Sequence, residues 1–222
     1  MSTITGHRAT VSVSVGGQDM VFETGRLAKQ ADGAVAVRSG DTMILATAVG
    51  RRDARPDSDF FPLTVDVEER MYAAGKIPGG FFRREGRPSE TAILTARLTD
   101  RPLRPSFAEG FRDEVQIVLT VLSVDMANPY DIPGMNAASL ATLLAGLPFE
   151  GPIGAVRMGL IGGQWVVNPT FQDLEEATFD VVVAGRRNDQ GQIDILMIEG
   201  EAPDNTWSLL QGGEGAVAPT EE

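Results

Sequence analysis

The chain has 222 residues, enough for one large domain or two small ones, and its 42% hydrophobic and 23% charged content is that of a globular protein with a sizeable core. It contains no cysteine, which excludes disulfides and thiolate metal sites and fits a reducing compartment, and a single histidine, His7, too little for acid–base work built on imidazole. A net charge of −12 argues at first against nucleic acid, because phosphate binding is driven by cations.

In chain order, Met1 to Arg8 lacks the basic-then-apolar pattern of a secretory signal, and the longest apolar stretches, Val115 to Val124 and Ala137 to Phe149, are too short to span a bilayer. A soluble, cytoplasmic protein with no membrane partner is expected. Val11, Val13 and Val15 alternate with serines, the period-two pattern of a half-buried strand, and Gly16-Gly17 turns the chain into a second strand at Met20 to Glu23. Ala34 to Arg38 and Met43 to Val49 read as another pair, and Phe61 to Val67 as a further strand. A Gly- and Arg-rich loop follows from Tyr72 to Pro88.

Ser89 is a suitable N-cap for a helix running to Arg101, with Ile93, Leu94 and Leu98 as its apolar stripe and Pro102 as its stop. Val115 to Val124 reads as a buried central strand, and Asn136 to Ala145 as a helix closed by Gly146 and Pro148. Ile153 to Leu160 and Gln164 to Val167 form a hairpin about Gly162-Gly163, and Phe179 to Ala184 and Ile193 to Glu199 are the last strands. From Gly200 the chain is acidic and rich in Gly and Pro, with Trp207, Leu209 and Leu210 as its only anchors and no closing element, as if cut inside a longer protein. Strand blocks separated by single helices indicate an α+β fold with mixed β-sheets packed with helices. There is no dinucleotide fingerprint, no phosphate-loop motif and no repeat.

The charge is unevenly placed. Between Arg70 and Arg104 lie eight basic and three acidic residues, a local net of +5, which leaves −17 for the remainder. A basic island in an acidic chain marks a localised anion site. Its centre is Phe81-Phe82-Arg83-Arg84-Glu85-Gly86-Arg87-Pro88, where two aromatics offer stacking faces and three guanidiniums offer forks for phosphate, the combination that single-stranded RNA requires. On the residues alone two readings stand level: both Phe in the core with solvated arginines, or an exposed loop, which the preceding Ile77-Pro78-Gly79-Gly80 favours. Arg97 and Arg101 share a helix face and, with Arg87 and Arg104, can line an anion path; a solvated face with Glu90 and Asp100 as partners is the alternative. Glu68-Glu69 and Glu175-Glu176 read as solvated acids.

The run Phe60-Phe61-Pro62-Leu63-Thr64-Val65, then Glu69 to Glu90 without a break, then Ala96-Arg97-Leu98, Asp100-Arg101-Pro102 and Arg104-Pro105, resembles the signature of the first core of the polynucleotide phosphorylase family. Leu147-Pro148-Phe149, Gly151 to Ala155, Val167 to Thr170 and Asp180 to Gly185 resemble it too, so the likeness spans most of the chain. The resemblance implies an RNase PH-like core over 13–199, preceded by a strand segment at 1–12 and followed by an acidic segment at 200–222 leading to a helical domain. It further implies a phosphate-dependent 3′-to-5′ exoribonuclease that releases nucleoside diphosphates, a homotrimeric ring, and Mg²⁺ for the whole enzyme, held in a second core. By carry-over, Phe81 and Phe82 form the aperture that grips single-stranded RNA, and Arg83, Arg84 and Arg87 hold its backbone, with Arg97, Arg101 and Arg104 continuing the path.

Two departures from the active members set this core apart. Active relatives place hydroxyls or a Thr-Arg pair for phosphate before the second helix, whereas Ile132 to Ser139 offers Met135 and Ala137, and Ser139 lies a turn inside the helix. Active cores also carry an acidic metal-site residue, a spacer and Lys where this chain has Asp180-Val181-Val182. No catalytic and no metal residue is therefore expected in this core, and Asp180 is expected to be structural or a vestige. A self-sufficient RNase PH-like trimming enzyme and a purely structural assembly domain are the competing functions.

Overall fold

The computed structural model describes residues 8–51, 59–203 and 206–212; His7 lies outside the described residues. Among the described residues ten strands form two sheets. The first, of six strands, has the order β1-β2-β3-β4-β6-β5, where β1 is Ala9–Val15, β2 Gln18–Thr24, β3 Gly33–Ser39, β4 Thr42–Gly50, β5 Leu63–Glu69 and β6 Val115–Ser123. The second has the order β10-β9-β7-β8, built from β7 Ile153–Ile161, β8 Gln164–Val167, β9 Phe179–Arg187 and β10 Ile193–Glu201.

Among the described residues the strand pairs are antiparallel except β5 with β6, where Leu63 lies beside Val115. That parallel pair needs a crossover, and the crossover carries the whole Arg- and Phe-rich segment together with helix α1, Glu90–Leu103. Helix α2, Asp131–Leu144, packs on β3 and β4 of one sheet and on β7 of the other, while α1 packs on β5. The helices therefore fill the space between two sheets, the α+β arrangement expected. Ile44, Ile117, Leu119 and Met135 are fully buried in this layer, each such side chain contributing about 1.5–3 kcal/mol. Among the described residues no helix is long and apolar enough to cross a membrane.

The β1–β2 turn follows directly from sequence. Gly16 and Gly17 have φ of 63° and 82°, the two positive values that a two-residue hairpin turn demands. The alternation in β1 is real, but β1 is an edge strand, and Val11 and Val13 stay exposed instead of half-buried. Strand β5 begins two residues later than expected.

Helix α1 is capped as predicted, the Ser89 side chain accepting from Ala92 N–H. Its buried face, however, is Ala92, Thr95, Thr99, Pro102 and Leu103; Ile93 and Leu94 are exposed and only Leu98 of the expected stripe is partly buried. Small residues let the helix lie close to the sheet, and the larger aliphatics turn outward. Pro102 lies inside the last turn and does not end the helix. Helix α2 starts five residues earlier than expected, because Pro133 falls in the first turn, where amide hydrogens lack helical partners in any case. Two short helices escaped the sequence reading: α3, Phe171–Glu175, with a Thr170–Asp173 capping box, and α4, Thr206–Gly212, in the segment after Gly200; the expected open end at 218–222 lies outside the described residues. Trp207 on α4 is exposed and is not a core anchor.

Candidate nucleic-acid interface

The crossover leaves β5 through a 3₁₀ turn, Met71–Ala74, that ends at Gly75. From there to Ser89 the chain has no helix or strand. Glu85 reaches back so that its carboxylate accepts from Met71 N–H at 3.0 Å, fastening the far limb of the loop to its root. At the tip, Arg83 N–H donates to Gly80 O at 2.9 Å, and Arg83 sits at φ 46°. A left-handed backbone is uncommon for a residue with a side chain and concentrates at functional loops.

Phe81 and Phe82 are held out from the protein, 96% and 74% exposed, so the core-burial reading of this pair is excluded. Their rings meet edge to face at 5.3 Å and 86°, and the Arg84 guanidinium lies 5.2 Å from the Phe82 ring centre. Among the described residues Arg83, Arg84 and Arg87 meet no carboxylate at ion-pair distance. Two flat rings and three guanidiniums with no carboxylate partner among the described residues thus share one loop, one of the three lying over the Phe82 ring.

The other basic residues are placed differently. Arg104 is a brace: it pairs in a fork with Asp100, donates to the carbonyls of Phe61 at 3.0 Å and Leu63 at 3.1 Å, and lies over the Phe61 ring. Arg101 is paired with Glu199 across to β10. Arg97 is exposed and, among the described residues, makes no ion pair; with Arg101 it lines a cleft of about 380 Å³ between α1 and the second sheet. The structure therefore gathers Phe81, Phe82, Arg83, Arg84 and Arg87 on the loop, sets Arg97 and Arg101 in the neighbouring cleft, and ties Arg104 into the fold.

On its sheet side the cleft holds a cluster that the sequence reading missed. Arg157 points inward from β7; one terminal nitrogen donates to Asp131 at 2.6 Å and the other to Asp180. Burial disfavours the Arg157 charge, but the two carboxylates outweigh it and hold its pKa above the ordinary value. Burial pushes the Asp180 carboxyl upward against the pull of Arg157, with Asp131 and Glu201 adding to the push. The missed signal was strand phase: Ile153, Ala155, Arg157 and Gly159 share one face of β7, and a lone cation among apolar inward positions calls for a buried partner.

The stretch before the second helix is no open loop. Met135 and Ala137 are buried, the Asn136 amide bonds both the N–H and the carbonyl of Ala155 at 2.7 and 3.0 Å, and Ser139 Oγ accepts from Ile153 N–H at 2.7 Å. These side chains fix α2 to β7. The residues about Asp180 do not fit a divalent ion, because the cation already between Asp131 and Asp180 is a guanidinium. Val182, buried at the same cleft, supplies no donor.

The family model described as the 3′ exoribonuclease family, domain 1, matches residues 16–148, and that of domain 2 matches residues 151–214. The chain belongs to the 3′ exoribonuclease family. Within it, the chain is 60% identical over 209 residues to a polyribonucleotide nucleotidyltransferase of Acidothermus cellulolyticus, covering 94% of this chain and 26% of that protein. A polyribonucleotide nucleotidyltransferase of Streptomyces coelicolor is 60% identical over 202 residues, covering 90% and 27%. The chain thus spans about a quarter of the length of these relatives. The crystal structure of rice (Oryza sativa) Rrp46 shares the fold with a TM-score of 0.63 at 13% identity, covering 96% of this chain and 90% of that one.

Proposed function

We propose that this chain is the first core of a polynucleotide phosphorylase, the enzyme that shortens RNA from its 3′ end with inorganic phosphate, reversibly releasing nucleoside diphosphates. This core grips and threads single-stranded RNA and builds the trimeric ring, and it does not cleave RNA itself. The whole enzyme works in the cytoplasm and uses Mg²⁺ at a second core. The observation that carries the reading is Phe81, 96% exposed at the tip of a loop whose three arginines have no carboxylate partner among the described residues. Exposing a phenyl ring to water is unfavourable, and a base stacked on it would remove that cost while the neighbouring guanidiniums meet the phosphates. The lack of catalysis is supported by Asn136 and Ser139, whose polar atoms are committed to β7.

Two measurements test this. The chain incubated with labelled oligo-A, Mg²⁺ and phosphate is expected to release no ADP; robust release overturns the non-catalytic role. Binding of oligo-A, followed by fluorescence anisotropy across a salt titration, is expected to weaken and to lose salt dependence when Arg83, Arg84 and Arg87 become Ala. Identical curves for wild type and variant would leave assembly as the function of this loop.

A further inference from the structure

The loop that presents Phe81 and Phe82 is held to the fold by very little. Among the described residues, 77–88 make one hydrogen bond to the rest of the protein, the bond from Met71 N–H to the Glu85 carboxylate at 3.0 Å. The Arg83 N–H to Gly80 O bond and the contact of Arg84 with the Phe82 ring close within the loop and anchor nothing. From 79 to 90 every residue is exposed except Glu85, which is half-buried. Its partner is the first amide of the 3₁₀ turn, and Arg70, the residue before that turn, caps nothing with its own side chain. Glu85 thus supplies from along the chain the acceptor that the turn lacks. Charge alone would direct it otherwise. Arg83, Arg84 and Arg87 are its neighbours in sequence, yet among the described residues it pairs with none of them. An acid in their midst also opposes the approach of phosphate.

We propose that Glu85 is a positioning residue for single-stranded RNA, one that strengthens binding through its acceptor oxygen although its charge works against it. The proposal rests on the RNA-gripping reading of this loop and says what makes the grip effective. With the Met71 bond in place, the two rings and the three guanidiniums are presented in one arrangement. Without it, 77–88 are joined to the fold only through their ends and sample many arrangements. The RNA would then have to order the loop itself, and affinity falls in proportion to the share of time that the loop is ready to bind. The two roles of Glu85 therefore have opposite signs, and substitutions that remove the charge but keep or discard the acceptor separate them.

The experiment compares wild type, Glu85→Gln, Glu85→Ala and Glu85→Leu by oligo-A anisotropy and, without RNA, by the rate of trypsin cleavage after Arg83 and Arg84. All three variants lose the same charge. Only Gln keeps an acceptor for Met71 N–H, and Leu keeps bulk without one. Glu85→Gln is expected to bind oligo-A as tightly as wild type or more tightly, and to be cut at the wild-type rate. Glu85→Ala and Glu85→Leu are expected to bind about fivefold more weakly or worse, the lower end for one lost stacking contact, and to be cut faster. Tighter binding by all three variants would mean that charge alone decides, and overturns the proposal. So does a Gln variant as weak as Ala, or equal affinity and equal cleavage across the set. A wild type that binds no oligo-A removes the RNA reading and this proposal together, whereas binding by wild type with no deficit in Ala and Leu removes this proposal only.

Discussion

The Arg84 guanidinium lies 5.2 Å from the centre of the Phe82 ring, while Phe81 meets Phe82 at 86° and, among the described residues, has no cation over its ring. The two phenylalanines are therefore unequal: one is already stacked under a cation, and the other presents a free face. Phe81→Ala is expected to weaken binding of oligo-A by about 1–3 kcal/mol, roughly 5- to 150-fold, and Phe82→Ala by less. Arg84→Ala is expected to lower the salt slope by about 0.7, the value of one phosphate contact on a single strand. Anisotropy titrations at several salt concentrations separate the two effects, because loss of stacking changes affinity and leaves the slope intact.

Arg87 and Arg104 are both exposed arginines in the same basic island, yet they act on different links of the chain from sequence to function. Arg104 fastens the end of α1 to the Phe61 and Leu63 carbonyls. Arg104→Ala is expected to cost about 1–2 kcal/mol, the range for charge-assisted bonds that are partly open to water. In a chain of this size that lowers the melting temperature by roughly 2–8 °C. Arg87→Ala is expected to leave the melting temperature alone and to weaken RNA binding. Differential scanning fluorimetry beside the anisotropy titration distinguishes them.

What could be read from sequence followed local rules. The Gly16-Gly17 and Gly162-Gly163 turns fix their hairpins through backbone conformation alone, while Ile77 to Gly80 favoured an exposed loop without deciding it against the core reading of Phe81 and Phe82. The facing of α1 was not legible, since Ala92, Thr95 and Thr99 do not look like a core stripe until a sheet lies against them. The Arg157 cluster joins positions 131, 157 and 180, and only the packing of α2 on β7 and of β7 on β9 brings these together. Arg104 was read with the anion path from its charge, and it does line one groove with Arg97 and Arg101; its carbonyl partners are visible only in three dimensions.

Asp125 is a second long-range knot, and it sets an acid limit on stability. Its carboxylate accepts from the N–H groups of Asp41, Ala127 and Asn128, the Asn128 side-chain amide and the buried Thr42 hydroxyl. Burial raises its pKa, but the bonds from Asn128, Ala127 and Asp41 together outweigh this and hold it well below the usual carboxylate range. A folded pKa below the unfolded one means stability that is full above the unfolded value of about 3.9 and is lost as pH falls below it. Asp125→Asn is therefore expected to be less stable than wild type at pH 7, with the gap narrowing as pH falls from about 4 toward 2. Urea melts across that range check the sign, and a gap that stays constant refutes the role of the charge.

Asn136 is the residue by which α2 grips the second sheet. Its carboxamide copies a backbone unit, accepting from Ala155 N–H and donating to Ala155 O, so a helix side chain completes the hydrogen bonding of β7 opposite β9, beyond the stretch from Met158 to Ile161 that β8 pairs. Asn136→Ala removes both partners at once and leaves an amide and a carbonyl unsatisfied in a largely buried place, an expected cost of about 2–4 kcal/mol. Asn136→Asp is a sharper probe. The carboxylate can still accept from Ala155 N–H, but it has no donor for the carbonyl and brings a charge close to the Asp131–Arg157–Asp180 cluster. It is expected to destabilise at pH 7 by a similar amount and to recover in part as pH falls toward 4, when the protonated acid regains a donor. Urea unfolding of the three proteins at pH 7 and pH 4.5 measures this; equal losses for Ala and Asp at both pH values would mean that shape, and not the donor, decides the contact.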